Sequence, residues 1–422
     1  GPAAARPRRE ARPLRSAASA AVTVAASVAG AAVVPAAEAA ASPWTAVHQW
    51  TPLAANVTLL RRPDDDVGNS TARWRILHIT DAHISLGEAE ELHASGTRRM
   101  HGAFRIVQDK HLEPGGRRPP ADTFQRLMRL IERTEPDAVL LTGDIVNFPH
   151  NTSVQFARQA LDAALGRGGP RVPALFTAGN HDWLVEGLAR GRGEQRGKFR
   201  REVLAALYRL GRRRPWPRGS SAEDYGVLEL PARRRGGGGS ENPGLLILTL
   251  DNSMHEVTSE QASFVWSEFA RGLPTLLAVH VPFMLPGATP PDTKHILCGD
   301  PRYGYDRDTT WHMERRERWP RGGSSASTLR FVQDVVERFA APRGPLLGIL
   351  SGHEHQHRAD KLGRTRTAPL RLHCDGGSPP RCEHAQGLRP GQPLHEGFVQ
   401  YVTPAACEGG HRIVEVRDAR FP

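Results

Sequence analysis

The chain has 422 residues, 39% of them hydrophobic, which is enough for one large or two ordinary folded domains. Its net charge of +11 would suit a polyanion surface, but only Lys110, Lys198, Lys294 and Lys361 are lysine and the other 52 of the 56 basic residues are arginines spread along the chain. Read with 42 Gly and 34 Pro, this is a compositional bias and argues against a dedicated nucleic-acid surface.

Residues 1–15 carry Arg6, Arg8, Arg9, Arg12 and Arg15 against one acid, Glu10, and an uncharged Ala-, Val- and Ser-rich run follows to Val34. Residues 1–42 are therefore expected to be a targeting or disordered segment. A signal there would send the chain to secretion or an organelle; otherwise it stays in the cytoplasm. Alanine is too weakly apolar to make this run a membrane span. Sequons at Asn56, Asn69 and Asn151 agree with secretion without establishing it. Residues 43–72 are expected to be a linker, and a catalytic domain is expected over 73–417, followed by a short tail, 418–422.

Arg75-Ile-Leu-His-Ile-Thr80 has the pattern of a buried first strand. After a polar connection, Asp122 with Gln125 predicts a capped helix whose apolar face is Phe124, Leu127, Met128 and Ile131. A strand over 137–142, a helix over 152–165 and a strand over 172–176 complete a βαβαβ pattern, hence parallel strands. Residues 190–240 are Arg- and Gly-rich and are expected to be a solvated insertion with one short helix near 198–210. Strands are then expected at 245–250, 275–279 and 346–350. Thr258 and Gln261 predict a second capping box, and a further helix is expected over 325–341. Residues 285–323 are a lid candidate, and 398–402 with 412–416 are expected to be closing antiparallel strands. Cys298, Cys374, Cys382 and Cys407 match no Cys-x-x-Cys zinc motif. They allow up to two disulfides in an oxidising compartment, or free thiols.

Five of these strand ends carry polar donors: Asp81 with His83, Asp144, Asn180 with His181, His280, and His353 with His355. Any one of them is explained by a turn or a helix cap. Their recurrence at strand ends, where open α/β sheets present their chemistry, points to a metal site. In an extended segment Asp81 and His83 would face one ion, while His353 and His355 would reach one ion each. Oxygen and imidazole donors suit Mn, Fe or Zn without selecting among them. His78, His93, His101, His150 and His357 are expected to be structural or exposed, and Asn252 and Trp311 are candidates to line a substrate cleft.

The ordered series Asp81-x-His83, Gly143-Asp144, Gly179-Asn180-His181-Asp182, His280 and Gly352-His353-x-His355 resembles the calcineurin-like metallophosphoesterase superfamily. The resemblance implies an α/β fold, an αββα four-layer sandwich of two mixed β-sheets flanked by helices. It implies two divalent metal ions: Asp81, His83 and His355 on the first, Asn180, His280 and His353 on the second, and Asp144 bridging them. It implies hydrolysis of a small phosphoester, diester or monoester, by a hydroxide bridging the metals. His181 would protonate the leaving group and Asp182 would orient it. Protein serine/threonine phosphatases carry Gly-Asp-x-Val-Asp-Arg-Gly at the second motif, whereas this chain has Gly143-Asp-Ile-Val-Asn147-Phe148 without that Arg. Purple acid phosphatases carry Tyr where Asn147 stands, so the series resembles neither branch. A nuclease and a catalytically inactive interaction scaffold on the same fold are the alternatives. The sequence does not address the oligomeric state.

Overall fold

A computed structural model of the chain describes residues 44–50, 54–61, 73–86, 107–109, 116–147, 149–166, 171–183, 199–210, 225–231, 244–285, 297–299, 324–335, 345–362, 370–374, 382–384, 393–394 and 398–420. The N-terminal segment 1–42 and nearly all of the lid candidate lie outside them.

The apolar runs become strands buried on both faces, as expected for parallel strands covered by helices. Strands β3 (Arg73–Ile79), β6 (Ala138–Thr142) and β7 (Ala174–Thr177) lie side by side in parallel. So do β9 (Leu245–Leu250), β10 (Thr275–Val279) and β11 (Leu346–Ser351). Alternation along each strand divides its side chains between two cores. Leu246, Leu248 and Leu250 meet helix α4 (Ser259–Phe269) and helix α5 (Ala326–Asp334), through Phe264 and Phe331 among others. Leu245 and Ile247 instead meet Ile76, Leu140 and Leu175 of the other sheet. Helices α1 (Pro120–Thr134), α2 (Asn151–Leu165) and α3 (Phe199–Tyr208) cover the outer face of that sheet through Phe124, Leu161 and Leu204. Each buried Leu or Phe is worth about 1.5–3 kcal/mol. The result is two mixed sheets between helical layers, the expected αββα arrangement.

Several local expectations change. The stretch 43–72, expected to be a linker, contains β1 (Trp44–Trp50) and β2 (Ala54–Arg61), an antiparallel pair. Strand β2 runs parallel to β17 (Arg412–Arg420), and β17 is antiparallel to β3. The hairpin covers a strand edge that would otherwise present unpaired backbone groups. The tail is correspondingly shorter than 418–422. Inside the expected insertion, α3 buries Val203, Leu204, Leu207 and Tyr208, and β8 (Tyr225–Leu230) pairs antiparallel with β9. That stretch is therefore partly core and sheet edge.

Helix α1 starts at Pro120 after Pro119 and has no side-chain cap, so the box predicted at Asp122 does not form. Proline at the first position presets the backbone angle and lacks the orphan N–H a cap would satisfy. The box at Thr258 and Gln261 does form, with bonds of 3.1 and 2.8 Å.

The second sheet continues through β16 (Phe398–Val402), β12 (His357–Leu362), β13 (Leu370–Cys374) and β14 (Cys382–His384). The two closing strands therefore belong to different sheets: β16 is parallel to β11 and antiparallel to β12. The register sets Cys374 opposite Cys382, while Cys298 and Cys407 are buried free thiols. Strand β15 (Pro393–Leu394) edges the first sheet beyond β1, and β4 (Val107–Asp109) pairs with β5 (Gly116–Arg118). No helix among the described residues is long and apolar enough to cross a membrane.

Candidate metal centre

The C-terminal ends of β3, β6 and β7 meet those of β9, β10 and β11 at one edge of the sandwich, and every sequence-nominated donor is there. Among the described residues, three groups of ligand atoms form, each lying within 4.8 Å: Asp81–His83–His355, Asp144–His280–His353, and His83–Asp144–His181. Asn180 joins the second through its Oδ1, 3.1 Å from His280 Nε2.

The backbone holds these donors in an uncommon conformation. Asp81, His83, Asp144, His353 and His355 have φ of 54°, 46°, 51°, 69° and 51°. Left-handed φ costs non-glycine residues roughly 1–2 kcal/mol each, and such outliers gather at functional sites. Asp81 and His83 therefore converge through tight turns, and not through the extended geometry their spacing suggested.

Backbone bonds between the loops offset the strain. Asp81 and His83 donate their amides to Gly143 O and Asp144 O at 3.0 and 2.8 Å. The His353 amide crosses from the other sheet to the Asp81 carboxylate at 2.9 Å from Oδ2, and Gly352 N donates to His280 O at 3.0 Å. The chain also turns where side chains cannot fit. Gly143 has φ 85°, and a Cβ there would stand 2.5 Å from Gly179 N. A Cβ on Gly179 would strike Asp144 Oδ1.

The separations suit cations. Ligand bonds of about 2.0–2.2 Å put neighbouring donors roughly 2.8–3.6 Å apart around a tetrahedral or octahedral ion. His83 Nε2 and His355 Nε2 are 2.9 Å apart, and His355 Nε2 is 3.3 Å from Asp81 Oδ1. Asp144 Oδ2 is 3.2 Å from His280 Nε2 and 3.9 Å from His83 Nε2, so one carboxylate oxygen stands between the two histidine sets. Its partner Oδ1 is tied by the His181 amide at 2.8 Å. His280 donates Nδ1–H to Thr142 O at 2.8 Å, which leaves Nε2 facing the donors.

The electrostatics match a site built for positive charge. Burial alone would raise the Asp144 carboxyl, but His280 and His181 outweigh it and hold it well below the usual range. Burial likewise opposes ionisation of Asp81, and His355 and His280 overcome it. Burial lowers His83 well below its ordinary value, and His181 and His355 add to that. His280 is pushed up to about 10, because the Asp144 charge and hydrogen bond exceed the cost of burial.

His181 takes its orientation from an unexpected neighbour. Its Nδ1 lies 2.9 Å from Asn147 Oδ1 and 3.2 Å from Asn147 O. Asp182, expected to orient it, accepts the amides of Val146 at 3.0 Å and Gly179 at 2.8 Å, one on each oxygen. Asp182 thus braces the two loops that carry Asp144 and Asn180. Burial, with the Asp144 charge, raises its carboxyl to about 8.

Two further residues join the site. His255 is buried with φ 57°, its ring edge-on to His353 at 5.3 Å. It lies four residues beyond Asp251, too far past the end of β9 for strand patterning to mark it. Asn252 is a clamp and not a cleft residue: its Oδ1 receives the amides of His280 and Val281 at 3.1 and 3.0 Å, and Nδ2 donates to Val281 O at 2.6 Å. His78 bonds Thr142 Oγ1 and Thr403 Oγ1 at 2.7 and 2.8 Å, a structural role as expected. His93, His101 and Trp311 lie outside the described residues.

A model of the calcineurin-like phosphoesterase family matches residues 75–357. Among solved structures, a dimetal phosphatase from Danio rerio aligns at 13% identity and a TM-score of 0.32, covering 81% of this chain and 91% of that one. A purple acid phosphatase from yellow lupin (Lupinus luteus) aligns at 11% identity and a TM-score of 0.37, covering 84% of this chain and 47% of that one. A calcineurin-like phosphoesterase from Bacillus subtilis aligns at 11% and 0.32, covering 75% and 89%. No curated protein matches the chain by sequence.

Proposed function

We propose that this chain, which belongs to the calcineurin-like phosphoesterase family, hydrolyses a small phosphodiester or phosphomonoester at a pair of divalent cations. Asp81, His83 and His355 would hold one cation, and Asn180, His280 and His353 the other. Asp144 would serve both. The observation that carries this reading is the position of Asp144 Oδ2, 3.2 Å from His280 Nε2 and 3.9 Å from His83 Nε2. When bound, such cations neutralise phosphate oxygens and activate a water.

The chain supplies the rest. Asn147 keeps the proton of His181 on Nδ1. Nε2 is then the atom from which the imidazolium form, which the Asp144 charge favours against burial, would protonate the departing oxygen. Burial lowers the imidazole while Asp144 opposes this, so the ring gives up that proton readily. Asp182 ties the loop of Gly179 to the loop of Val146, and Asn252 fixes His280.

Elemental analysis of the purified full chain, paired with turnover of bis-p-nitrophenyl phosphate and p-nitrophenyl phosphate, tests this. About two metals per chain and chelator-sensitive turnover are expected, and the ratio of the two rates reports the diester or monoester preference. A chain that stays metal-free and inert after incubation with Mn or Zn would sink the proposal.

A further inference from the structure

Between His353 and His355 stands Glu354, whose carboxylate belongs to a different, buried assembly. It forms an ion pair with the guanidinium of Arg358 on β12, both side chains being fully buried. The same guanidinium reaches Asp360 Oδ2 at 3.1 Å through both Nε and Nη2. Asp360 Oδ2 accepts from Gln400 Nε2 at 3.0 Å, its cross-strand partner on β16. Gln400 then grips the backbone of Phe283 with both ends of its amide, accepting from N at 2.8 Å and donating to O at 3.1 Å. Phe283 lies three residues beyond His280. A continuous polar chain therefore joins the loop of His353 and His355 to the loop of His280, running behind the donors and away from solvent.

The energetics argue against a purely stabilising purpose. Taking a guanidinium and two carboxylates out of water costs several kcal/mol per ion, and apolar replacements of similar volume are often neutral or better. What the ions add is direction. The planar fork of an arginine fixes two carboxylates in a way that neither lysine nor an apolar side chain can. Here the fixed object is a tight turn whose two donors, at φ 69° and 51°, belong to different donor groups. An unanchored turn could relax from left-handed φ and move both.

We propose that Arg358, with Glu354, Asp360 and Gln400, is a positioning assembly that holds the His353–His355 turn against the His280 loop so that both donor groups keep their convergence. The inference rests on the metal-centre reading. Its consequence is weaker metal binding of roughly 10–100-fold when the assembly is removed, as for other outer partners of ligands.

The test is titration of the metal-free full chain with Mn(II) by calorimetry, with thermal melts of the metal-free proteins alongside. The wild-type chain is compared with Arg358→Lys and with the charge-free combination Glu354→Gln, Arg358→Met and Asp360→Leu. The combination is expected to melt near the wild-type temperature and to bind Mn(II) about 10–100-fold more weakly, with Arg358→Lys intermediate. A folded combination that binds Mn(II) as tightly as wild type overturns the proposal. So does failure of both variants to fold, which would assign the assembly to stability. A wild-type chain that takes up no Mn(II) would refute the metal-centre reading itself, a separate outcome.

Discussion

His181 Nδ1 lies 2.9 Å from the side-chain oxygen of Asn147, three residues past Asp144 at the end of the neighbouring strand β6. This contact leaves Nε2 as the nitrogen from which the imidazolium would donate. His181→Asn is predicted to slow hydrolysis of an alkyl phosphoester about 10²–10⁴-fold. The p-nitrophenyl ester, whose leaving group needs little protonation, should slow far less. Asn147→Ala should show the same leaving-group dependence in weaker form. Equal losses on both substrates would remove the proton-donor role.

Asp144 is the only donor placed in two of the donor groups that also contain different metal-set histidines, among the described residues. Asp144→Asn is expected to lower metal content below that of His280→Ala and to reduce turnover at least ~100-fold, or roughly 2.7 kcal/mol of barrier. Circular dichroism should be unchanged. A variant retaining two metals and wild-type turnover would contradict the assigned position.

Two glycines make a matched pair. A Cβ at Gly179 would strike Asp144, whereas one at Gly272, with φ 68°, meets nothing within 4 Å. Gly272→Ala should cost about 1–2 kcal/mol from backbone strain alone and leave turnover intact. Gly179→Ala should disable turnover beyond any loss of stability. Denaturant melts and rates on both variants decide it.

Removing metal should expose the strain of the site. Five donors in left-handed conformation around clustered carboxylates and imidazoles would be stabilised by a cation that binds only the folded chain. Chelation is expected to lower the melting temperature. Restoring metal to a hundredfold excess over its dissociation constant should return about 2.7 kcal/mol per site. A melting temperature indifferent to chelator and to Mn(II) would count against a folded-state metal site.

His78 predicts an acid sensitivity apart from the metal. Burial pushes its imidazole down to about 3, with the Arg412 charge adding and Asp81 opposing. The unfolded chain takes up that proton near 6.5, the folded chain only near 3. Its contribution to stability is thus complete above pH 6.5 and is lost as pH falls, with a slope of at most about 1.4 kcal/mol per pH unit. Metal-free His78→Gln should show a shallower decline than the metal-free wild type over that range. Identical slopes would exclude His78 as the source.

Much of this was legible locally. The strands of both sheets announce themselves as apolar runs such as Leu245–Leu250, buried at every position. The Thr258 capping box needs only four residues of sequence to recognise, and it forms. The elements that were missed depend on distant partners. Strand β2, with β1 beside it, is held by β17 at the far end of the chain, and β8 by β9 across a basic stretch. The short helix expected near 198–210 does form, as α3, but the solvated surroundings expected for it do not, because Val203, Leu204 and Leu207 pack into the outer core.

Strand patterning and residue chemistry are local, so which donors exist, and that each follows a strand, could be read along the chain. Which donors meet was already implied by the family resemblance, and the tertiary structure decided the backbone that brings them together. His353 and His355 are two residues apart, yet left-handed backbone sends one to Asp144 and His280 and the other to Asp81 and His83. It also gave the orientation of His181 to Asn147 and turned Asp182 toward backbone amides. Those outcomes depend on how loops from two sheets stack at one edge, and hydrogen-bond directions between such loops are not encoded in the spacing of any one of them.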